Sequence, residues 1–385
     1  MNILIFEHKT FGIEDVKESL GFLDHSYKVL ETEDLPLYES ENIDALFNEE
    51  LSKASYDAVF TFNFSPTVSE NCKKHGLPYI SYVYDSPQVL LYSYMLINPC
   101  NKVYIFDKAM YEDFKKSGIS TVYYMPLAVN QRRLSKQTDS FLNKNEFMSD
   151  VTFVGSMYNE AHNLYDRLDT ISKYTKGYLE GIMEAQLKIY GDFFIEKLLT
   201  PEILEDLQKS VPYVPDKKSA VKPEYVYANY FIGRKLTNIE RTTLLSEVSN
   251  KFKVDLYTKL STPDLKNVNN HGPIDYYDKM PEIFVKSKIN LNITLRSIRS
   301  GIPLRAMDIL GCGGFLLSNY QADFFDFFNP GEDLVLYESK EDLLDKCDYY
   351  LKHEDERIRI ARNGMERARK EYNYDIILGE MLKNL

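Results

Sequence analysis

Three arginines stand close together in the carboxyl-terminal third of this acidic chain. Residues 292–308 read NITLRSIRSGIPLRAMD, and the arginines are Arg296, Arg299 and Arg305. Gly301 and Pro303 favour the start of a helix, because proline needs no amide partner in the first turn. Free N–H groups at a helix start bind phosphate, and guanidinium groups bind it through paired hydrogen bonds. The stretch therefore predicts an anion site of Arg296, Arg299 and Arg305 around Gly301 and Pro303, with surface ion pairs to nearby carboxylates as the alternative.

Asp308 follows Arg305 by one helical turn. On this spacing its carboxylate either accepts hydrogen bonds from the hydroxyls of a bound ribose or pairs with Arg305, since residues three apart on a helix are neighbours. The residues alone leave both interpretations open.

Two further candidates follow predicted strands of the amino-terminal half. Asp85 comes directly after YISYVY, where a carboxylate can act as a general base or orient a sugar hydroxyl. The alternative is that Asp85 caps the next helix, because D-S-P is a good helix start. His8 lies in FEHKTFG, between Glu7 and Lys9. We predict Asp85 as the first catalytic candidate. His8 is the second, because a lone histidine is more often structural than catalytic.

The common phosphate and metal motifs are missing from the sequence. It contains no Asp-x-Asp pair, no G-x-G-x-x-G and no G-x-x-x-x-G-K-[ST]. A dehydrogenase or a P-loop NTPase is therefore disfavoured. Because closely spaced carboxylates usually hold a metal ion on a diphosphate, we expect no metal here and expect arginines and helix N-termini to meet the phosphates.

Short apolar runs alternate with helical segments, a pattern typical of parallel sheets covered on both faces. The predicted strands are 2–6, 57–62, 79–84, 103–106 and 121–125, then 151–155, 187–191, 253–258, 289–294, 314–318 and 333–337. The pattern predicts an α/β chain with a first Rossmann-like domain at 1–140 and a second at 141–370. Within the second, residues 192–250 read as a helical insertion, and TNIE at 237–240 has the pattern of a capping box that begins a helix. Residues 371–385 form a last helix.

The overall composition excludes several classes of partner. The chain of 385 residues has a formal net charge of −12, whereas nucleic-acid binding needs a concentrated basic face. Its four cysteines show no C-x-x-C spacing, and no apolar stretch reaches the ~20 residues that span a bilayer. We therefore expect a cytoplasmic protein with reduced thiols, no nucleic-acid partner and no integral membrane segment.

Several stretches resemble one known family in the same order along the chain. Residues 288–337, KINLNITLRSIRSGIPLRAMDILGCGGFLLSNYQADFFDFFNPGEDLVLY, resemble the carboxyl-terminal glycosyltransferase domain of CgeB-type spore-maturation proteins. Residues 57–87, DAVFTFNFSPTVSENCKKHGLPYISYVYDSP, are similar to the amino-terminal domain of those proteins, and VTFVGSMYNEAHN and GYLEGIMEAQLKIYG look similar to stretches between them.

The resemblance implies the GT-B architecture of glycosyltransferases. Two Rossmann-like domains would face a cleft, the second would bind the nucleotide-sugar, and the last helix would cross back to the first. In related retaining enzymes a Glu-x7-Glu element holds the donor. Its second position falls here on Asp308 and its first on Ser300, a departure that puts retaining stereochemistry in doubt. The arginine and lysine that such enzymes carry after the first strand of this domain are missing, since Ser156 follows the glycine.

The function that this resemblance implies is transfer of a sugar from a nucleoside diphosphate, with a UDP-sugar as the expected donor, to a protein or glycan acceptor. Donor-binding residues would be Arg296, Ser300, Gly301, Arg305 and Asp308. A nucleotide-sugar epimerase or hydrolase, and a catalytically silent glycan- or protein-binding module, remain as alternatives.

Overall fold

The computed structural model describes residues 1–8, 10–32, 40–142, 144, 146–161 and 163–385. Lys9 lies outside the described residues. The chain forms two compact units. The first contains Met1–Ala128, Pro215–Val221 and Tyr372–Leu385, and the second contains Val129–Val214 and Lys222–Glu371. The division falls at Ala128, before the predicted limit at 140, because the helix that follows packs within the second unit, where Leu134 lies against Gly311.

The first unit is a six-stranded parallel sheet in the order β2-β1-β3-β4-β5-β6. Its strands are β1 (Asn2–Glu7), β2 (Ser26–Glu31), β3 (Ala58–Phe62), β4 (Tyr79–Val83), β5 (Asn101–Ile105) and β6 (Val122–Tyr124). Its helices are α1 (Ile13–Phe22), α2 (Ser40–Lys53), α3 (Pro66–His75), α4 (Lys108–Lys116) and the last of the chain, α16 (Tyr374–Lys383). Five of these strands match predicted ones, but β2 has no apolar run because most of its side chains are exposed.

Helix ends in the first unit follow their local sequence. Ser65 accepts a hydrogen bond from the Val68 amide at the start of α3, and Gly76 ends that helix with a φ of 69°. At the end of the chain, Asn373 caps α16 in the same way as Ser65 caps α3. The Ser19 hydroxyl then donates to Asp375, which fixes α16 against α1.

The second unit is a six-stranded parallel sheet in the order β12-β11-β10-β7-β8-β9. Its strands are β7 (Ser149–Val154), β8 (Val254–Tyr257), β9 (Val268–Asn270), β10 (Ser287–Asn292), β11 (Leu316–Asn319) and β12 (Val335–Tyr337). Strands β8 and β9 lie on one side of β7 in the sheet, and strands β10, β11 and β12 lie on the other side. The carboxyl ends of β7 and β10 therefore flank the topological switch point of this sheet, the usual place of a ligand in such folds.

The strand predicted at 187–191 is wrong. Leu187 ends a helix, and the residues after it form a turn in which Ile189 is exposed. Its short apolar run does not pair with the sheet, because the carbonyls of Leu187 and Ile189 accept hydrogen bonds from Arg296. Conversely, the short and largely polar strand β9 gave no apolar signal in the sequence.

Eleven helices belong to the described part of the second unit. They are α5 (Gln131–Thr138), α6 (Lys173–Leu187), α7 (Ile195–Leu198), α8 (Pro201–Ser210), α9 (Pro223–Val226), α10 (Gly233–Ser249), α11 (Met280–Val285), α12 (Leu304–Cys312), α13 (Phe324–Phe327), α14 (Lys340–Lys352) and α15 (Glu354–Glu371). A π-helical turn, Tyr227–Ile232, leads directly into α10. None of the described helices combines the length and apolar character that crossing a bilayer requires.

Helices α12 and α15 approach each other closely in the core of the second unit. The approach depends on Gly364, where an added Cβ would lie 2.2 Å from the Asp333 carbonyl oxygen and 2.7 Å from Leu310. The oxygen belongs to the backbone, so it cannot rotate away as a side chain can.

We expect Gly364→Ala to lower the free energy of unfolding of the second unit by ~1–3 kcal/mol, because overpacking forces the backbone to shift. Gly181→Ala is the matched control, since Gly181 lies in α6 with no atom within 4 Å of an added Cβ. That change should be neutral or raise stability by up to ~1 kcal/mol. Urea unfolding of both variants measures the difference, and equal midpoints would contradict the close packing at Gly364.

Candidate functional site

Arg241, on α10, joins the two loops at the switch point. Its Nε donates to the Ile293 carbonyl oxygen at 3.0 Å, and its Nη2 donates to the same oxygen. Its Nη1 donates to the Ser156 carbonyl oxygen. Ile293 follows β10 and Ser156 follows β7, so one guanidinium fixes both strand ends.

The charge of Arg241 is buried without an acidic partner. The residue is 8% exposed, and its partners among the described residues are carbonyl oxygens and aromatic rings, with no carboxylate in an ion pair. Burial lowers the pKa of Arg241 from its usual value, while the nearby Tyr158 and Glu240 act in the opposite direction. A buried cation whose direct hydrogen-bond partners are neutral carbonyl groups attracts an anion that comes close to it.

Arg296 is held from the same helix by Glu240. The Arg296 Nε lies 2.7 Å from Glu240 Oε2, and its Nη2 lies 2.8 Å from Oε1. Its Nη1 donates to the Ile189 carbonyl oxygen at 2.8 Å, and its guanidinium stacks 3.9 Å from the ring centre of Tyr190. These bonds fix the loop after β10 to α10.

Tyr190 completes this buried ion pair. Its hydroxyl donates to Glu240 Oε1 at 2.7 Å. Burial raises the pKa of Tyr190, and the negative charge of Glu240 raises it further, so the phenol stays protonated and remains a donor.

The predicted capping box at 237–240 is wrong, because α10 begins earlier, at Gly233. The two side chains that would form the box serve the switch point instead. The Thr237 hydroxyl accepts a hydrogen bond from the Arg296 amide at 3.0 Å, while Glu240 binds the Arg296 guanidinium.

Helix α12 begins at Leu304 with Pro303 at the N-cap, rather than near Gly301. Ser300 and Gly301 are both buried in the loop before it, and the Ser300 carbonyl oxygen accepts from the Asp323 amide at 3.1 Å. The loop is therefore anchored at both of its ends, by Arg241 and Arg296 after β10 and by this bond before α12.

Arg305 lies in the first turn of α12 and is partly exposed. Its Nη1 lies 3.3 Å from Asp308 Oδ2, so the two side chains form an ion pair. The predicted ribose contact of Asp308 stays a prediction. Asp308 also accepts a hydrogen bond from the Tyr276 hydroxyl at 2.9 Å. Arg133, on α5, lies over the ring of Tyr276, 5.7 Å from its centre.

In the first unit, Asp85 is exposed beyond the carboxyl end of β4. Asn63 donates its Nδ2 to Asp85 Oδ2 at 2.8 Å and accepts from the Asp85 amide at 3.1 Å. The capping alternative for Asp85 is wrong, because the next helical turn begins at Val89 with Gln88 at its cap.

His8 is exposed after β1, and its Nδ1 lies 3.1 Å from the Thr32 carbonyl oxygen. Strand β3 separates β1 from β4 in the sheet. The fold therefore places His8 and Asp85 at the same edge of the sheet but not on neighbouring strands.

Sequence reasoning missed Glu240 and Arg241. The residue after Gly155 is a serine, so the basic residue that the family resemblance predicts there is absent from that position. The fold supplies a cation at that point from α10, far along the chain. The only sequence signal was the adjacent pair Glu240 and Arg241 early in a helix, which resembles an ordinary surface pair. Among the described residues, no group of three or more His, Cys, Asp or Glu side chains is placed to hold a metal ion.

Comparisons with known proteins point to one fold. Residues 240–383 match the family model described as glycosyl transferase-like. No curated protein matches the chain. A sucrose-phosphate synthase from Thermosynechococcus elongatus superposes with a TM-score of 0.61 at 9% identity, covering 100% of this chain and 98% of that one.

Two other solved structures agree. The Anabaena protein HepE, solved in complex with UDP-glucose, has a TM-score of 0.52 at 10% identity, covering 100% of this chain and 99% of that one. A UDP-forming α,α-trehalose-phosphate synthase from Burkholderia xenovorans has a TM-score of 0.53 at 12% identity, with 100% and 98% covered. The predicted GT-B fold is confirmed, and the chain carries a glycosyltransferase-like domain.

The buried pair of Glu240 and Arg296 gives a direct test of the switch-point geometry. We expect Glu240→Ala to cost ~3–5 kcal/mol of unfolding free energy, because it leaves Arg296 buried without its counter-charge. Glu247→Ala, on the same helix, removes an exposed ion pair with Lys340 and should cost at most ~1 kcal/mol. Thermal and urea unfolding compare the two, and a similar cost for both would show that the buried pair does not hold the loop.

Proposed function

We propose that the chain transfers a sugar from a nucleoside-diphosphate sugar, which the second unit binds at its switch point. The observation that carries the proposal is Arg241, a buried cation at the carboxyl ends of β7 and β10 that forms no ion pair with any carboxylate in the described part of the chain. Folds of this kind bind their ligands at this place. The match to a glycosyl transferase-like family over residues 240–383 supports a sugar nucleotide rather than another anion.

The proposed diphosphate site combines Arg241 with Arg305 and the first turn of α12. The N–H groups of that turn carry a partial positive charge, which favours phosphate oxygens. Asp308 would exchange its contact with Arg305 for the hydroxyls of the ribose, and Ser300 and Gly301 would line the approach. Arg296 is a positioning residue in this proposal, because its guanidinium is bound to Glu240 and to backbone carbonyls.

The chemistry that these groups support is departure of the nucleoside diphosphate. Negative charge develops on the leaving phosphate as the bond to the sugar breaks, and fixed donors stabilise that charge most when water is excluded. Cationic side chains and a helix N-terminus would stabilise the negative charge on the leaving phosphate, so we propose that the transfer needs no metal ion.

The proposed donor is a UDP-sugar, because HepE was solved with UDP-glucose and the Burkholderia synthase forms UDP. The proposed acceptor is a hydroxyl of a protein or glycan, in keeping with the resemblance to CgeB-type proteins. Asp85 is the proposed base for that hydroxyl, with one of its oxygens held by Asn63, and His8 is the second candidate.

The first experiment measures UDP binding by isothermal titration calorimetry and UDP release from UDP-glucose, with and without EDTA. We expect binding that EDTA does not change. Arg305→Ala and Asp308→Ala should each weaken it about tenfold or more, because a hydrogen bond to a charged group contributes ~1.5–3 kcal/mol. Arg359→Ala is the control, since Arg359 is an exposed arginine of α15.

Product analysis separates the remaining functions. A new UDP-sugar without acceptor would identify an epimerase, and UDP release that no acceptor accelerates would identify a hydrolase. If UDP and UDP-sugars fail to bind the folded protein, or if Arg305→Ala and Asp308→Ala bind as Arg359→Ala does, the proposed donor site is wrong.

A further inference from the structure

The second unit contains a cavity of about 300 Å³ on the side of β7 away from β10. Its wall is formed by the loop after β7, the loop after β8 and one face of α10. The lining residues are Met157, Asn159, Asn238, Ile239, Thr242, Thr243, Thr262, Pro263, Asp264 and Leu265. A cavity of this volume lies at the small end of the range for sites that bind organic ligands.

The charges of this cavity exclude phosphate-bearing ligands. Among the residues that the structure describes, the lining contains no arginine, lysine or histidine, and its one ionisable side chain is Asp264. A carboxylate repels phosphate, and no lining cation offsets that repulsion. The cavity therefore differs in kind from the switch point, where Arg241 is buried without a carboxylate partner.

Several polar groups of the cavity remain available to a ligand. Within the part of the chain that the structure describes, the hydroxyls of Thr242 and Thr243 and the carboxylate of Asp264 have no hydrogen-bond or ion-pair partner. Asn238 donates its Nδ2 to the Met157 carbonyl oxygen at 2.8 Å, and Asn159 donates its Nδ2 to the Ser261 carbonyl oxygen at 2.9 Å. Each of these two amides therefore keeps its oxygen as an acceptor.

The remaining described residues of the lining are apolar, and none of them is aromatic. Met157, Ile239, Pro263 and Leu265 provide aliphatic surface beside the polar groups. A ligand that fits this wall carries many hydroxyls and C–H faces but no charge and no large flat ring. Neutral sugars have this chemistry, whereas nucleobases stack on aromatic or guanidinium planes.

We propose that this cavity binds a neutral carbohydrate, with the hydroxyls of Thr242 and Thr243 and the carboxylate of Asp264 bonding to sugar hydroxyls. The site is separate from the proposed donor site, because its residues lie on the β8 side of β7 and Arg241 and Arg305 are not among them. It does not depend on the transferase proposal.

The test is saturation-transfer NMR on the full chain with glucose, galactose and maltose as probes. Thr243 is exposed, so Thr243→Trp fills the cavity from its mouth, and Lys251→Trp puts the same ring on an exposed residue outside the lining. We expect at least one probe to give signals with the wild type and Lys251→Trp. The dissociation constant of that probe, obtained by titration of the signal, should rise at least about tenfold with Thr243→Trp, which corresponds to ~1.4 kcal/mol of binding energy.

A second variant is needed because Thr243→Trp would also lose sugar binding if it failed to fold. Thr242→Val with Thr243→Val keeps the volume of the wall while removing both hydroxyls, and it should weaken the same probe. Signals that persist in both cavity variants, or no signal from any probe with the wild type, would overturn the proposal.

UDP titration and measurement of sugar transfer from UDP-glucose distinguish failure of this proposal from failure of the transferase proposal. Loss of sugar binding without loss of UDP binding locates the effect in the cavity, and failure of UDP to bind while a sugar binds removes only the proposed donor. In the presence of UDP-glucose, a bound probe that gains a sugar is an acceptor, and one that stays unchanged is a separate ligand.

Discussion

The buried charges of Glu240, Arg241 and Arg296 determine the course of the two loops at the switch point of the second unit. Taking such charges out of water costs several kcal/mol for each ion, so they persist only with full sets of partners. Glu240 and Arg296 form paired bonds at 2.7 and 2.8 Å, and Tyr190 uses its hydroxyl on the same carboxylate. Arg241 instead donates to carbonyl oxygens and lies beside Tyr158, and it forms no ion pair with a carboxylate of the described residues. Because of this difference, we assign Arg296 to positioning the loop and Arg241 to binding an anion.

The rest of the candidate site depends on this arrangement step by step. Arg296 and Arg241 fix the start of the loop after β10, and the bond between Ser300 and Asp323 fixes its end. The loop leads directly into the first turn of α12, where Arg305 and Asp308 form an ion pair. A buried ion pair is a weak source of stability but defines one geometry, because any other course of the loop would leave a buried charge unpaired.

The fold could be predicted from the sequence where strands are buried on both faces. Strands such as β3 and β4 consist entirely of buried residues, and their apolar runs were located correctly. The prediction of strands failed where a strand lacks an apolar run, or where an apolar run does not pair with the sheet. Strand β2 is largely exposed, β9 is short and polar, and the apolar run at 187–191 forms a turn that binds Arg296.

The candidate site was predictable only in part, for a related reason. The stretch 292–308 contains its own signal, since arginines and a proline lie together in sequence, and the structure places its loop at the switch point. Glu240 and Arg241 reach the same place from a helix that precedes β8. Arg241 contacts Ile293 and Ser156, which lie 52 and 85 positions away along the chain. Such contacts leave no local pattern, so neither composition nor spacing identifies Arg241 as the cation that replaces the missing basic residue after β7.

The most direct test of the central claim is hydrogen–deuterium exchange of the full chain with and without saturating UDP. If the switch point holds the diphosphate, the backbone amides of 155–158 and 293–305 should exchange more slowly with UDP, while those of 262–265 beside the separate cavity stay unchanged. Protection that is absent from 293–305, although UDP binds and protects another part of the chain, would contradict the claim that Arg241 and α12 form the donor site.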